Sequence, residues 1–143
     1  MNFLDRNDEI TRYLFKGHYS RPDDKKPDHI KIKKNGIAPM LSDQGIRETS
    51  VMKTNGDTLE TVISIGKEHV APLRGQELKA LGRFSVELPI NLQLAVEHDK
   101  IGHPSHSSIK KWLAMKEDWL EKANDLAEEI NKNTNKTFHE CQN

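Results

Sequence analysis

The sequence predicts an α+β fold: one compact domain, 1–143, with a small, mostly antiparallel sheet and a long C-terminal amphipathic helix. Three observations predict it. From Ile109 onward apolar residues return every three or four positions with Lys and Glu between them. Several short runs before that point alternate polar with apolar, the period of a strand with one face buried. The segments follow the order helix, strands, helix, strands, helix, not the strict strand–helix alternation of a parallel sheet.

Taken in order, Asp8 stands as an N-cap before Ile10, Tyr13, Leu14 and Phe15, which predicts a short helix over 8–16, ended by Gly17. The polar stretch Ser20–Pro27 reads as a loop. His29–Lys33 and Thr49–Lys53 read as strands, closed by the turn pairs Asn35-Gly36 and Asn55-Gly56. Asp57-Thr58-Leu59-Glu60 resembles a capping box and opens a helix over 58–69 that Pro72 should end. Residues 78–88 and 91–97 approach period two, with Pro89 at an edge or corner between them. The last helix should cover about 108–132 and bury Met115, Trp119, Ala123, Leu126 and Ile130, with Trp112 and Trp119 seven apart on one face. Residues 1–7 and 133–143 are expected to be flexible.

Composition narrows the function classes. The 22 Lys and Arg equal the 22 Asp and Glu, so nucleic-acid binding driven by a basic domain surface is not favoured. Lys25-Lys26 and Lys31-x-Lys33-Lys34 form a local basic edge, more often a device that keeps an edge strand soluble. The single cysteine, Cys141, cannot close an internal disulfide, and no apolar run nears the roughly 20 residues of a membrane helix. The N-terminus is too charged for a signal peptide, so a cytoplasmic protein with no membrane partner is expected. The eight glycines form no nucleotide-binding loop, and no cofactor is expected.

The candidate chemistry lies in histidine, the side chain that titrates near neutral pH. Seven occur, and His98, His103 and His106 crowd into one stretch with Asp99. These groups could bind a divalent metal, but His-x4-His-x2-His matches no standard ligand spacing and no metal is assigned. A solvated turn shaped by Gly102 and Pro104 is the plain alternative. Arg21, Arg47, Arg74 and Arg83 fall in or beside predicted loops and strands, where guanidinium groups can grip phosphate with paired hydrogen bonds. As single residues they are more often surface ion-pair partners.

Three histidines are followed two residues later by serine: His18-Tyr19-Ser20, His103-Pro104-Ser105 and His106-Ser107-Ser108. His106-Ser107-Ser108-Ile109 resembles the His-x-Ser/Thr-apolar motif of the 2H phosphoesterases, and His18-Tyr19-Ser20-Arg21 is similar to it except at the fourth position. That resemblance implies a metal-independent phosphoesterase with His18 and His106 as general acid and base. Ser20 and Ser108 would hold the anion, beside His103 and a charge-stabilising Arg74 or Arg83. The layout of His18-x-Ser20, Arg74-Gly75, Arg83 and His106-x-x-Ile109-x-x-Trp112 also resembles a group of short bacterial proteins of uncharacterised function, which implies a bacterial or phage origin. The expected function is a His/Arg cleft that recognises a phosphate-bearing small molecule or nucleotide, as a phosphoester hydrolase or transferase. Two alternatives stand beside it: a non-catalytic module docking on a protein partner through the C-terminal helix, and metal binding by His98, His103 and His106.

Overall fold

The computed structural model describes residues 2–21, 30–133 and 138–141, and centres on one antiparallel sheet. Its strands are β1 (Glu9–Leu14), β4 (Met40–Leu41), β5 (Arg47–Lys53), β6 (Ala80–Ser85), β7 (Ala95–Glu97), β8 (His106–Lys110) and β9 (Phe138–Glu140). They run in the order β7-β8-β5-β1-β6-β9, with β4 paired to β5. Two short strands, β2 (Tyr19–Ser20) and β3 (Lys31–Ile32), pair separately. The helices are α1 (Lys34–Ile37), α2 (Leu59–Ile65), α3 (Ala71–Arg74), α4 (Glu87–Asn91) and α5 (Lys116–Asn133). The α+β class holds, with two apolar layers. Ile10, Leu14, Val51 and Ile109 meet α5 on one side, and Tyr13, Met52 and Leu81 meet α2 on the other.

Glu9–Leu14 is a central strand and not the expected helix. Strands covered on both faces read as continuous apolar runs without alternation, and that pattern is easily taken for a helix. Here β1 lies between β5 and β6, and every residue from Ile10 to Phe15 is buried. The helix expected over 108–132 is likewise shortened. Residues 106–110 form β8, paired on both sides by β5 and β7. The chain then turns at Lys111 (φ 70°), and α5 starts at Lys116. Met115 therefore precedes the helix and is 69% exposed, a correction to its expected burial. Trp112 also lies outside the helix, yet it is buried and donates from Nε1 to the Ile109 carbonyl at 3.0 Å.

The helix after Thr58 begins as expected, since Thr58 Oγ1 accepts from the Thr61 N–H at 3.2 Å. It does not stop before Pro72. A π-helical turn, Gly66–Val70, carries it into α3, where Pro72 sits in the first turn, the part of a helix that best tolerates proline. Gly75 ends it with φ 64°. Pro89 falls within α4, so the strand readings of 78–88 and 91–97 shrink to β6 and β7.

Where they are described, both terminal segments make backbone hydrogen bonds to the sheet. The Leu4 N–H donates to Val96 O at 2.8 Å, and β9 pairs with β6 through Phe138 opposite Gly82. The loop reading of 22–27, His29, and the tail at 134–137 lie outside the described residues. Among the described residues no helix is long and apolar enough to cross a membrane.

Candidate functional site

A cleft opens where β1 and β5 separate. Their pairing runs through Ile10↔Lys53 and Thr11↔Met52 and goes no further, whereas β1 stays paired with β6 along its whole length. Past Thr11 the Ser50 carbonyl turns to a side chain instead: it accepts from Arg12 Nη1 at 2.9 Å, while Arg12 Nε donates to Gly36 O at 2.8 Å. The gap is a cavity of about 230 Å³. Tyr13, Phe15, Val51 and Met52 line it on the sheet side, and His69, Val70 and Arg74 on the helical side. The loop 101–103 and His106 form a third wall. Met40, Leu73 and Ile101 ring it as exposed apolar residues, at 63%, 86% and 65% exposure.

His106 enters this cleft as part of a chain of hydrogen bonds. Successive even positions of β8 share one face, so His106 and Ser108 both point toward the loop that precedes the strand. That loop folds back through Lys100 (φ 57°) and Gly102 (φ 77°) and lays Asp99 beside them. Asp99 Oδ1 meets His106 Nδ1 at 2.5 Å, and Asp99 Oδ2 accepts from Ser108 Oγ at 2.6 Å. Burial works to raise the Asp99 carboxyl, but the bonds from Ser108, His106 and the Ile101 N–H outweigh it and hold it below the usual value. An ionised carboxylate only accepts, so His106 Nδ1 carries the proton and Nε2 presents its lone pair. Nε2 lies 3.2 Å from Ser50 Oγ, an exposed hydroxyl at the cleft wall. The strand register sets this contact. Ser50 stands opposite Ser108 and Met52 opposite His106, which makes Ser50 and His106 diagonal neighbours on one face.

The cleft is cationic at its base. Arg12 is only 7% exposed, and burial first, then the nearby Arg74 charge, lowers its pKa to about 10, so it stays protonated at neutral pH. Arg74 lies over the Phe15 ring at 4.5 Å, and burial lowers its pKa too. Among the described residues neither arginine has a carboxylate partner within ion-pair distance, whereas Glu48, the acid on the cleft wall, is 3.9 Å from Lys110. His69 and His103 meet at the mouth with ring centroids 4.7 Å apart. The His103 pKa is lowered, by burial first and then by His69 and His106.

The structure gathers some of the sequence-predicted residues and separates others. His106, His103 and Arg74 line the cleft, and Ser108 adjoins it, buried, with its hydroxyl committed to Asp99. His18 sits in the turn after β1, accepting from the Phe15 N–H at Nδ1 (3.1 Å), and is not among the lining residues. Burial, then Arg12 and Arg74, push its pKa down to about 4. Ser20 is exposed on β2, in the separate small sheet, and does not line the cleft. Arg83 is engaged away from the cleft, where Nε donates to Glu9 Oε1 at 2.7 Å and Nη2 to the carbonyls of Thr54 and Asp57. The three clustered histidines have separate partners: His98 Nε2 meets the Pro104 carbonyl, His103 Nδ1 accepts from the Ser105 N–H, and His106 meets Asp99. No group of three or more His, Cys, Asp or Glu among the described residues is placed to hold a metal ion. The apolar stripe of α5, the surface considered for a protein partner, packs into the core through Trp119, Ala123, Leu126, Ala127 and Ile130.

Sequence reasoning missed Arg12, Ser50 and the full part played by Asp99. A signal existed for Arg12, a charge inside the apolar run Ile10–Phe15, and for Asp99, seven residues before His106. Ser50, 56 residues from its histidine, carries none. No family model matches the chain, and comparisons with curated proteins and with solved structures also give no match.

Proposed function

We propose that the cleft between β1 and β5 binds a phosphate-bearing ligand and that His106 exchanges a proton with it, as in hydrolysis or transfer of a phosphoester. The observation that supports this reading most is the buried Arg12 guanidinium, beside Arg74 and without a carboxylate partner among the described residues. A desolvated cation is costly unless compensated, and a bound anion compensates both guanidinium groups at once. Phosphate offers the oxygens to take donors from two directions. Phe15, Val70 and the exposed Met40, Leu73 and Ile101 suit an apolar or aromatic group on the ester oxygen. His106, held at Nδ1 by Asp99 and directed at Nε2 toward the cleft hydroxyl of Ser50, suits acid–base exchange in the same cleft.

Calorimetric titration of the full chain with phenyl phosphate tests the binding. Saturable binding is expected, weakened by about tenfold or more in Arg74→Gln, because a charge-assisted contact contributes about 1.5–3 kcal/mol. Inorganic phosphate should compete, and benzyl alcohol should not. Failure of wild-type protein to bind phenyl phosphate, or equal binding by Arg74→Gln, would overturn the reading.

A further inference from the structure

We infer that Ser50 is a nucleophile in this cleft, so that the phosphoester reaction passes through a covalent phosphoseryl enzyme; the inference rests on the phosphate-cleft reading and adds its reacting atom. Three groups align: Asp99 Oδ1 to His106 Nδ1 at 2.5 Å, then His106 Nε2 to Ser50 Oγ at 3.2 Å. A nucleophile, a base in hydrogen-bond reach and a carboxylate orienting the base are the parts that hydroxyl activation needs. The order of burial agrees with these roles. The Asp99 side chain is 8% exposed, His106 15%, and Ser50 is the exposed member facing the cavity. Asp99 is further held by Ser108 Oγ at 2.6 Å and the Ile101 N–H at 3.2 Å, which leaves it an acceptor of fixed direction. Arg12 donates to the carbonyl of Ser50 itself, which places a guanidinium beside the nucleophile's own backbone.

The chemistry balances within these residues, the ester and water. Ser50 Oγ attacks phosphorus while its proton passes to His106 Nε2. The bond from phosphorus to the leaving alcohol oxygen breaks, and that oxygen takes the proton from His106. Water then attacks the phosphoseryl group and gives a proton to His106. The Ser50 Oγ–phosphorus bond breaks, Ser50 recovers its proton from His106, and inorganic phosphate departs. Asp99 stays ionised throughout and balances the transient imidazolium. Arg12 and Arg74 face the negative charge that phosphorus carries in both steps. Ser50 and His106 are the catalytic residues of this scheme, and Asp99 is a positioning residue.

The test is covalent capture. Full-length protein is treated with a fluorophosphonate probe, which phosphonylates activated serine hydroxyls with loss of fluoride, and the adduct is located by intact mass and peptide mapping. One adduct at Ser50 is expected. It should be absent in Ser50→Ala, and slowed about 100-fold or more in His106→Gln, the contribution of a general base. Circular dichroism and the melting temperature of both variants check that they fold, and Ser50→Cys, which keeps a nucleophile, should gain an iodoacetamide adduct at position 50, mapped apart from any at Cys141, whose rate falls when His106→Gln is added. Asp99→Asn should shift the pH dependence of labelling, a readout that a purely structural role would not move. In parallel, wild-type protein is assayed on p-nitrophenyl phosphate and p-nitrophenyl butyrate. Labelling at Ser50 with turnover of the phosphate supports the inference. No Ser50 adduct, with phenyl phosphate still bound, overturns the nucleophile and leaves the phosphate cleft standing. A Ser50 adduct with turnover of the butyrate alone overturns the phosphoester scheme, and the phosphate reading falls with it only where phenyl phosphate also fails to bind.

Discussion

His18 shows how one residue's surroundings alter its chemistry. Its ring accepts from the Phe15 N–H and stands edge-on to the Phe15 ring at 6.0 Å between centroids, in a site too desolvated and too close to Arg12 and Arg74 to hold a proton. Its pKa falls to about 4 from the ordinary 6.5, so between those values the unfolded chain binds a proton that the folded chain refuses. The stability this contributes is complete above the unfolded value and is lost as pH falls through the interval. Melting temperature should therefore fall as pH drops from about 7 to about 4.5, and His18→Gln should flatten that fall. A scanning-fluorimetry series across pH, wild type beside variant, checks it; parallel curves would remove His18 as the cause.

At the scale of elements, the helical wall of the cleft is set against the sheet by a close approach at Gly66. A Cβ there would lie 2.5 Å and 2.7 Å from the Tyr13 ring and 2.8 Å from Leu78. Tyr13 cannot give way easily, because its hydroxyl donates to Val62 O at 2.6 Å. Gly66→Ala should cost about 1–3 kcal/mol by overpacking, measured by urea unfolding. On the opposite face Trp119 is 8% exposed beneath the Arg47 guanidinium, 4.7 Å from the ring centroid. Trp119→Ala should cost about 3–5 kcal/mol with no change in elution volume, since the ring packs in the monomer's own core. A wild-type-like stability with altered elution would place Trp119 at an interface between chains.

For the molecule as a whole, a ligand that binds the native state alone raises its stability by mass action. Phenyl phosphate at about one hundred times its dissociation constant should add about 2.7 kcal/mol, visible as a higher melting temperature. Because Arg12 is buried, this stabilisation should largely survive about 0.5 M salt, where exposed ion pairs are screened. A shift that vanishes in salt would point to surface binding instead.

The α+β class, the capped start of the helix at Thr58 and the apolar face of the C-terminal helix were legible in the sequence, because each depends on neighbours within a few positions. So was the concentration of imidazole and carboxylate in the His98–Ser108 stretch, where Asp99 and His106 meet. The strand nature of Glu9–Leu14 was not legible, since burial on both faces erases the alternation that marks a strand. Nor was the cleft, which exists because β1 and β5 stop pairing after Thr11↔Met52. His18 looked equivalent to His106 by its His-x-Ser pattern, and only the three-dimensional fold gave the two different surroundings. Local patterns in a chain record periodicity and capping. Which hydroxyl meets which imidazole is decided by strand register, and register is settled only when distant strands pair.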